Sequence, residues 1–208
     1  QEVQNYLESA QLGFRLLEDF PLCWRVIRQV HRQLLDGVRG QSRAPGEFRR
    51  IQVWIGGKTI KEAAYIPPPP DYLTGLTSAL EAYLNSENGL DPLLKCGIAH
   101  AQFELIHPFM DGNGRIGRLL ISLYLKQTGL LAQPVLVLSE YFERNRSAYY
   151  EALNSVASSE SWERWLSYFL TAVHAQAVTR LRLTNEQLKL YWNYKSRIRE
   201  LGITQRGV

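Results

Sequence analysis

Hydrophobic positions along this chain recur mostly at helical spacing. Ile116, Leu119, Leu120, Leu123 and Tyr124 fall at i, i+3, i+4, i+7 and i+8, and Leu94, Gly97, Ile98, Ala101 and Leu105 mark a second helical face just upstream. Asp91-Pro92 starts that upstream helix. Residues 2–17 (striped by Val3, Tyr6, Leu7, Ala10 and Phe14) and 23–36 (Val26, Ile27, Val30, Leu34 and Leu35) predict two more helices, parted by Asp19-Phe20-Pro21. Leu73, Leu76, Leu80 and Leu84 predict another over 71–86, with Asp71 as candidate N-cap. Further helices are expected over 140–156, from 162 to about 183, and over 184–201. Strand periodicity occurs once. Ile51, Val53 and Ile55 alternate ahead of the turn dipeptide Gly56-Gly57, with 58–66 as return strand or loop and Pro67 to Pro70 as a stiff exit. The expected fold is therefore mainly α, a helical bundle with one β-hairpin.

Composition narrows the class without naming a function. The 208 residues are 45% hydrophobic and 21% charged, ordinary values for a globular chain with a substantial core. No apolar run reaches transmembrane length and no signal-like segment opens the chain, so the expected location is cytoplasmic, with no membrane partner. Cys23 and Cys96 sit in apolar helical patterns and read as reduced core thiols. Residues 180–208 carry seven Lys/Arg and two Asp/Glu, a net +5 within a total of +4. Such an end suits either a solvated helix face or nucleic acid.

Chemistry concentrates between the two central helical patterns, in Ile106-His107-Pro108-Phe109-Met110-Asp111-Gly112-Asn113-Gly114-Arg115-Ile116-Gly117-Arg118. Residues 111–114 predict a tight loop feeding a helix N-terminus, where free N–H groups and the positive end of the helix dipole suit a phosphate. Gly112 and Gly114 leave room for close approach, and Arg115 and Arg118, at i and i+3, can both reach phosphate oxygens. Asp111 suits a divalent cation bridging those phosphates, and a neutral His107 suits proton abstraction from a hydroxyl. Together they compose a set for phosphoryl-type transfer. Two lookalikes fail. Gly57-Lys58-Thr59 resembles the tail of a P-loop but has Gln52 where the first Gly belongs, and His100, His107 and Asp111 lack a compact metal-ligand spacing.

Residues 107–118 resemble, at all nine specified positions of twelve, the His-Pro-Phe-x-(Asp/Glu)-Gly-Asn-Gly-Arg-x-x-Arg motif of the Fic (Fic/Doc) family. With Asn113-Gly114-Arg115 intact, the chain is similar to the branch that transfers AMP from ATP. The resemblance implies that His107 deprotonates a target hydroxyl and Asp111 holds Mg²⁺, with Mn²⁺ as a substitute. It implies that Gly112, Asn113 and Gly114 cradle the α- and β-phosphates, with Arg115 and Arg118 further along the triphosphate. It also makes Ile51, Gln52, Val53, Trp54 and Ile55 a flap to which a target segment adds as a strand, and Tyr150 and Leu153 candidates for the adenine wall. The expected activity is a protein adenylyltransferase acting on a Ser, Thr or Tyr hydroxyl, with self-modification and homodimerisation as further expectations. Removal of AMP, another nucleotide donor, or a non-enzymatic regulatory or nucleic-acid-binding module are the alternatives.

The resemblance divides the chain into N-terminal helices (1–46), a catalytic core (47–175) and a basic C-terminal helix (176–208), a lead-in to a winged-helix domain in related proteins. Nucleic acid is expected as a partner only if such a domain follows. The segment 1–6 resembles the helix after the inhibitory helix of N-terminally regulated members. Their Ser/Thr-x-x-x-Glu-Gly/Asn pattern has no full match; Ser196-x-x-x-Glu200 comes nearest but Leu201 follows. The inhibitory Glu is therefore expected upstream of this segment or on a separate chain.

Overall fold

The computed structural model describes residues 1–158 and 161–200. Its centre is a pair of helices, α4 (Pro92–Ile106) and α5 (Asn113–Gln127), joined by the loop that carries the motif. Asp91 caps α4, accepting the Leu93 N–H at 2.8 Å, with Pro92 in the first turn where its missing N–H is harmless. The expected apolar stripe on α4 is not its most buried face: Leu94, Ile98 and Leu105 are half-buried, and burial extends over the rest of the helix. Lys95, Cys96, Ala99, His100, Phe103 and Glu104 are all buried, because α3 (Leu73–Asn85), α5 and α8 (Trp162–Glu200) surround it.

Helices α1 (Glu2–Asp19) and α2 (Trp24–Leu34) cover the other side of α5. The buried face of α1 is Asn5, Ser9, Ala10, Gly13 and Phe14, while Val3 and Leu7 of the expected stripe are exposed. The rotation has a polar cause. Asn5 Nδ2 donates to the carbonyls of Leu34 and Asp36, supplying partners at the otherwise open end of α2.

Three further expectations change. Asp71 caps nothing; it lies in a 3₁₀ turn, Pro70–Tyr72, and α3 starts behind Tyr72. The helix expected over 140–156 is two, α6 (Ser139–Arg144) and α7 (Arg146–Ala157), parted at Asn145. The two helices expected after 162 are one, since α8 is continuous through Thr184-Asn185; residue 201, the end expected for the last, lies outside the described residues.

The β-hairpin is also corrected. Among the described residues no strand forms, and the pairing is a single antiparallel bridge between Ile55 and Tyr65. Pro67 to Pro70 lack N–H donors for a ladder, and a 3₁₀ turn (Ile60–Glu62) occupies the return path. The segment 51–54 is held by side chains instead, as Gln52 Nε2 donates to the Pro67 carbonyl at 2.8 Å. No described helix is long and apolar enough to cross a membrane.

Candidate active site

The motif loop is built around a buried anchor. Phe109 is inaccessible, stacked on His31 and flanked by Trp24, Phe48 and Phe103. Asn113, the first residue of α5, turns its side chain inward: Oδ1 accepts the Phe109 N–H at 2.9 Å and Nδ2 donates to the Phe109 carbonyl at 2.8 Å. Any part Asn113 takes in a phosphate cradle therefore falls to its backbone N–H. Gly112, at φ +80°, is the N-cap, a left-handed conformation that suits glycine. The N–H groups of Asn113, Gly114 and Arg115 follow it in the first turn of α5, where no preceding helical carbonyl exists to accept them.

His107 closes α4 with φ +49° and ψ +60°, a conformation uncommon for a residue with a Cβ. Its Nδ1 lies 3.3 Å from the Glu104 carbonyl, an acceptor only, so Nδ1 carries the proton and Nε2 keeps a free lone pair. Burial lowers its pKa to about 4, assisted by the Arg49 charge and opposed by the Glu104 hydrogen bond and by Asp111. The imidazole is therefore neutral at neutral pH, the state a general base requires.

Asp111 places Oδ1 2.6 Å from the Gly112 N–H and 3.8 Å from Arg115 Nη2. The other arm of Arg115 lies 3.8 Å from Glu2 Oε2. Both Arg115 terminal nitrogens, and Arg118 Nε, are buried without a hydrogen-bond partner among the described residues. Unmatched guanidinium donors beside a helix N-terminus make an anion site. The described residues hold no group of three or more His, Cys, Asp or Glu able to bind a metal by themselves. One carboxylate next to a phosphate site nevertheless fits Mg²⁺, which takes few protein ligands and completes its shell with phosphate oxygens and water.

Arg49 was not singled out by the sequence, yet it connects the flap segment to the motif. It is 2% exposed, and its guanidinium donates to the carbonyls of His107 (2.8 Å), Ile106, Ile51 and Pro68. Its backbone N–H donates to the Pro108 carbonyl at 2.8 Å. Of the flap residues, Ile51 and Trp54 are exposed, Gln52, Val53 and Ile55 half-buried. Tyr65 fastens the return segment through its hydroxyl to the Leu105 carbonyl at 2.9 Å.

Glu104 is the second residue that sequence reasoning missed. Burial raises its carboxyl pKa to about 7 against the pull of Arg118, and its Oε1 has no partner among the described residues. A Cβ on residue 117 would lie 2.1 Å from that oxygen, so Gly117 is what lets the carboxyl fit beneath α5. His100 lies beside it, bonded to the Gly117 carbonyl (2.8 Å) and the Tyr149 hydroxyl (3.0 Å), with its pKa lowered to about 4 by burial. His100 is thus a satisfied core histidine.

Tyr150 and Leu153, on α7, separate. Tyr150 is 43% exposed and shares a cavity of about 200 Å³ with Arg118, Ser139, Phe142, Arg146 and Tyr149. Leu153 is buried in the core. A second concavity, about 530 Å³, opens between Ala64-Tyr65 and α7. A third, about 660 Å³, is an apolar groove along α8 that includes no motif residue.

A model of the Fic/DOC family matches residues 21–125. The chain is 36% identical over 152 residues to the protein adenylyltransferase Fic of Drosophila grimshawi, covering 71% of this chain and 28% of that protein. It is 37% identical over 152 residues to the one from Drosophila mojavensis, covering 71% and 27%. The chain thus spans just over a quarter of the curated relatives it matches. Among solved structures, a Fic family protein from Desulfovibrio desulfuricans G20 superposes with TM-score 0.71 at 26% identity, covering 89% of this chain and 54% of that one. Fic-1 of C. elegans superposes with TM-score 0.64 at 23% identity, covering 86% and 51%, a likeness of fold.

Proposed function

Because this chain belongs to the Fic/DOC family, we propose that it is a protein adenylyltransferase, moving AMP from ATP to a Ser, Thr or Tyr hydroxyl of a target protein and releasing pyrophosphate. The observation that carries the reading is a neutral His107, free at Nε2, set beside a helix N-terminus with two arginines that hold buried donors lacking a hydrogen-bond partner among the described residues. Nε2 takes the proton of the target hydroxyl as that oxygen bonds the α-phosphorus. The bond from the α-phosphorus to the bridging oxygen breaks, and its electron pair leaves on pyrophosphate. The N–H groups of residues 113–115, with Arg115 and Arg118, hold the phosphates and stabilise charge as it develops. Asp111 is the residue that would hold Mg²⁺, which when bound neutralises phosphate charge. Arg49 keeps the segment Ile51–Ile55 level with His107, where a target strand would pair with its open edge. Tyr150, lining the cavity beside Arg118, is the adenine-side candidate we retain. A reducing, cytoplasmic setting suits the two free cysteines.

Incubation with Mg²⁺ and α-³²P-labelled ATP, beside the His107→Ala variant, tests the assignment. Label is expected on protein with the wild type alone, while both bind ATP. Equal labelling by the variant would remove His107 from the role of base.

A further inference from the structure

The chemistry assigned to Asp111 and Gly112 depends on where their backbone sits, and one side chain outside the motif holds it. His31, on α2, is fully buried. Its Nδ1 accepts the Gly46 N–H at 2.7 Å, so the ring proton resides on Nε2, which donates to the Asp111 carbonyl at 2.9 Å. The ring lies flat on Phe109, with centroids 3.9 Å apart and planes 10° from parallel. Gly112 closes over its edge, where a Cβ would stand 3.2 Å from Nε2. The connector after α2 reaches the same place: Gly40, at φ +97°, comes near enough that a Cβ would lie 3.0 Å from Asp111 Oδ2. One imidazole thus joins α2, the end of the connector, and residues 109, 111 and 112.

We propose that His31 is a positioning residue for the metal- and phosphate-binding half of the loop. It fixes the Asp111–Gly112 peptide through the Nε2–H bond, and so the direction of the Asp111 carboxylate, without touching substrate. The inference rests on the adenylyltransferase reading. What distinguishes His31 from a core histidine such as His100 is the partner it holds: the carbonyl of Asp111 itself, and an apolar replacement would leave that carbonyl and the buried Gly46 N–H unpaired. Loss of a group that orients a metal ligand from behind typically costs about 10–100-fold in metal affinity or activity.

Two substitutions separate this role from packing. A Gln side chain ends near the Nε2 position and can still donate to the Asp111 carbonyl. An Asn side chain ends near the Nδ1 position and keeps only the acceptor for Gly46. For wild type, His31→Gln and His31→Asn, the readouts are the Mg²⁺ concentration giving half of the ATP-dependent rise in Tm and the Mg²⁺ dependence of AMP transfer. His31→Asn is expected to raise the half-saturating Mg²⁺ about tenfold with kcat at saturating Mg²⁺ largely kept, and His31→Gln to stay within about twofold of wild type. Equal requirements in all three proteins, or an equal rise in both variants, would overturn the proposal alone. Absence of Mg²⁺-ATP binding by wild type would overturn the functional reading and this proposal with it. Should either variant not fold, ¹⁵N-histidine spectra of the wild type decide. An Nε2–H tautomer at His31 whose proton shifts on adding Mg²⁺-ATP supports the role, and an Nδ1–H tautomer removes it.

Discussion

At the scale of single residues, the motif's side chains divide into those with buried donors lacking a hydrogen-bond partner among the described residues and those that shape the loop. Asn113 belongs to the second group, since both ends of its amide are spent on Phe109. Asn113→Ala should therefore destabilise the fold by about 2 kcal/mol, leaving a buried N–H and carbonyl unpaired, and denaturant unfolding would register it. Arg118→Ala, by contrast, should weaken ATP binding about tenfold with little change in Tm, as expected for a guanidinium whose buried Nε has no hydrogen-bond partner among the described residues. Glu104 gives a pH test. Its folded pKa is raised to about 7 from the ordinary 4.5, so the folded state holds a proton that the unfolded state has released. That contribution is complete below pH 4.5 and lost as pH rises through 7. Relative to Glu104→Gln, wild-type stability should fall by roughly 3 kcal/mol across that window, a difference that pH-resolved urea melts would reveal.

At the scale of elements, Arg49 is the joint between the flap segment and α4. One guanidinium serves four carbonyls from three stretches of chain, so replacing it leaves several acceptors unpaired at once. Arg49→Ala should cost about 3 kcal/mol of stability and also reduce target modification, whereas ATP binding should be retained. Loss of ATP binding and target modification together would place Arg49 in the nucleotide site instead. The same element shows why a strand reading fails here. Alternation at 51, 53 and 55 is present, but four consecutive prolines on the return side remove the donors a ladder needs, and only Ile55 and Tyr65 pair.

At the scale of the whole molecule, buried histidines govern the response to acid. His100 and His107 have pKa values lowered to about 4, and that of His31 is lowered by burial as well. Each contributes stability above the unfolded value of 6.5 that is lost as pH falls toward the folded one. Glu104 acts in the opposite sense, but the histidines outnumber it. Stability should decline between pH 6.5 and 4, and more steeply in Glu104→Gln. The distal part of α8 belongs to the periphery: residues 181–200 are exposed except for half-buried Lys195. Removing residues 189–208 should leave the Tm nearly unchanged, which a thermal melt would check.

The sequence by itself determined the helical class, the central helix pair and the motif loop between them, because these depend on local spacing: apolar period, a glycine-bearing turn and charges one helical turn apart. The motif was legible in the linear chain because its residues are neighbours in it. What the tertiary structure alone decided joins distant positions. His31 reaches Asp111, Arg49 reaches the His107 carbonyl, and Gly117 makes room for Glu104. A lone histidine or arginine on an amphipathic pattern carries no mark of such a partner. The inward turn of α1 about Asn5, the burial of polar Lys95, His100 and Glu104 on α4 and the continuity of α8 follow the same rule. Which face is buried, and which polar group is matched, depends on the surfaces that packing brings together, and those lie far apart along the chain.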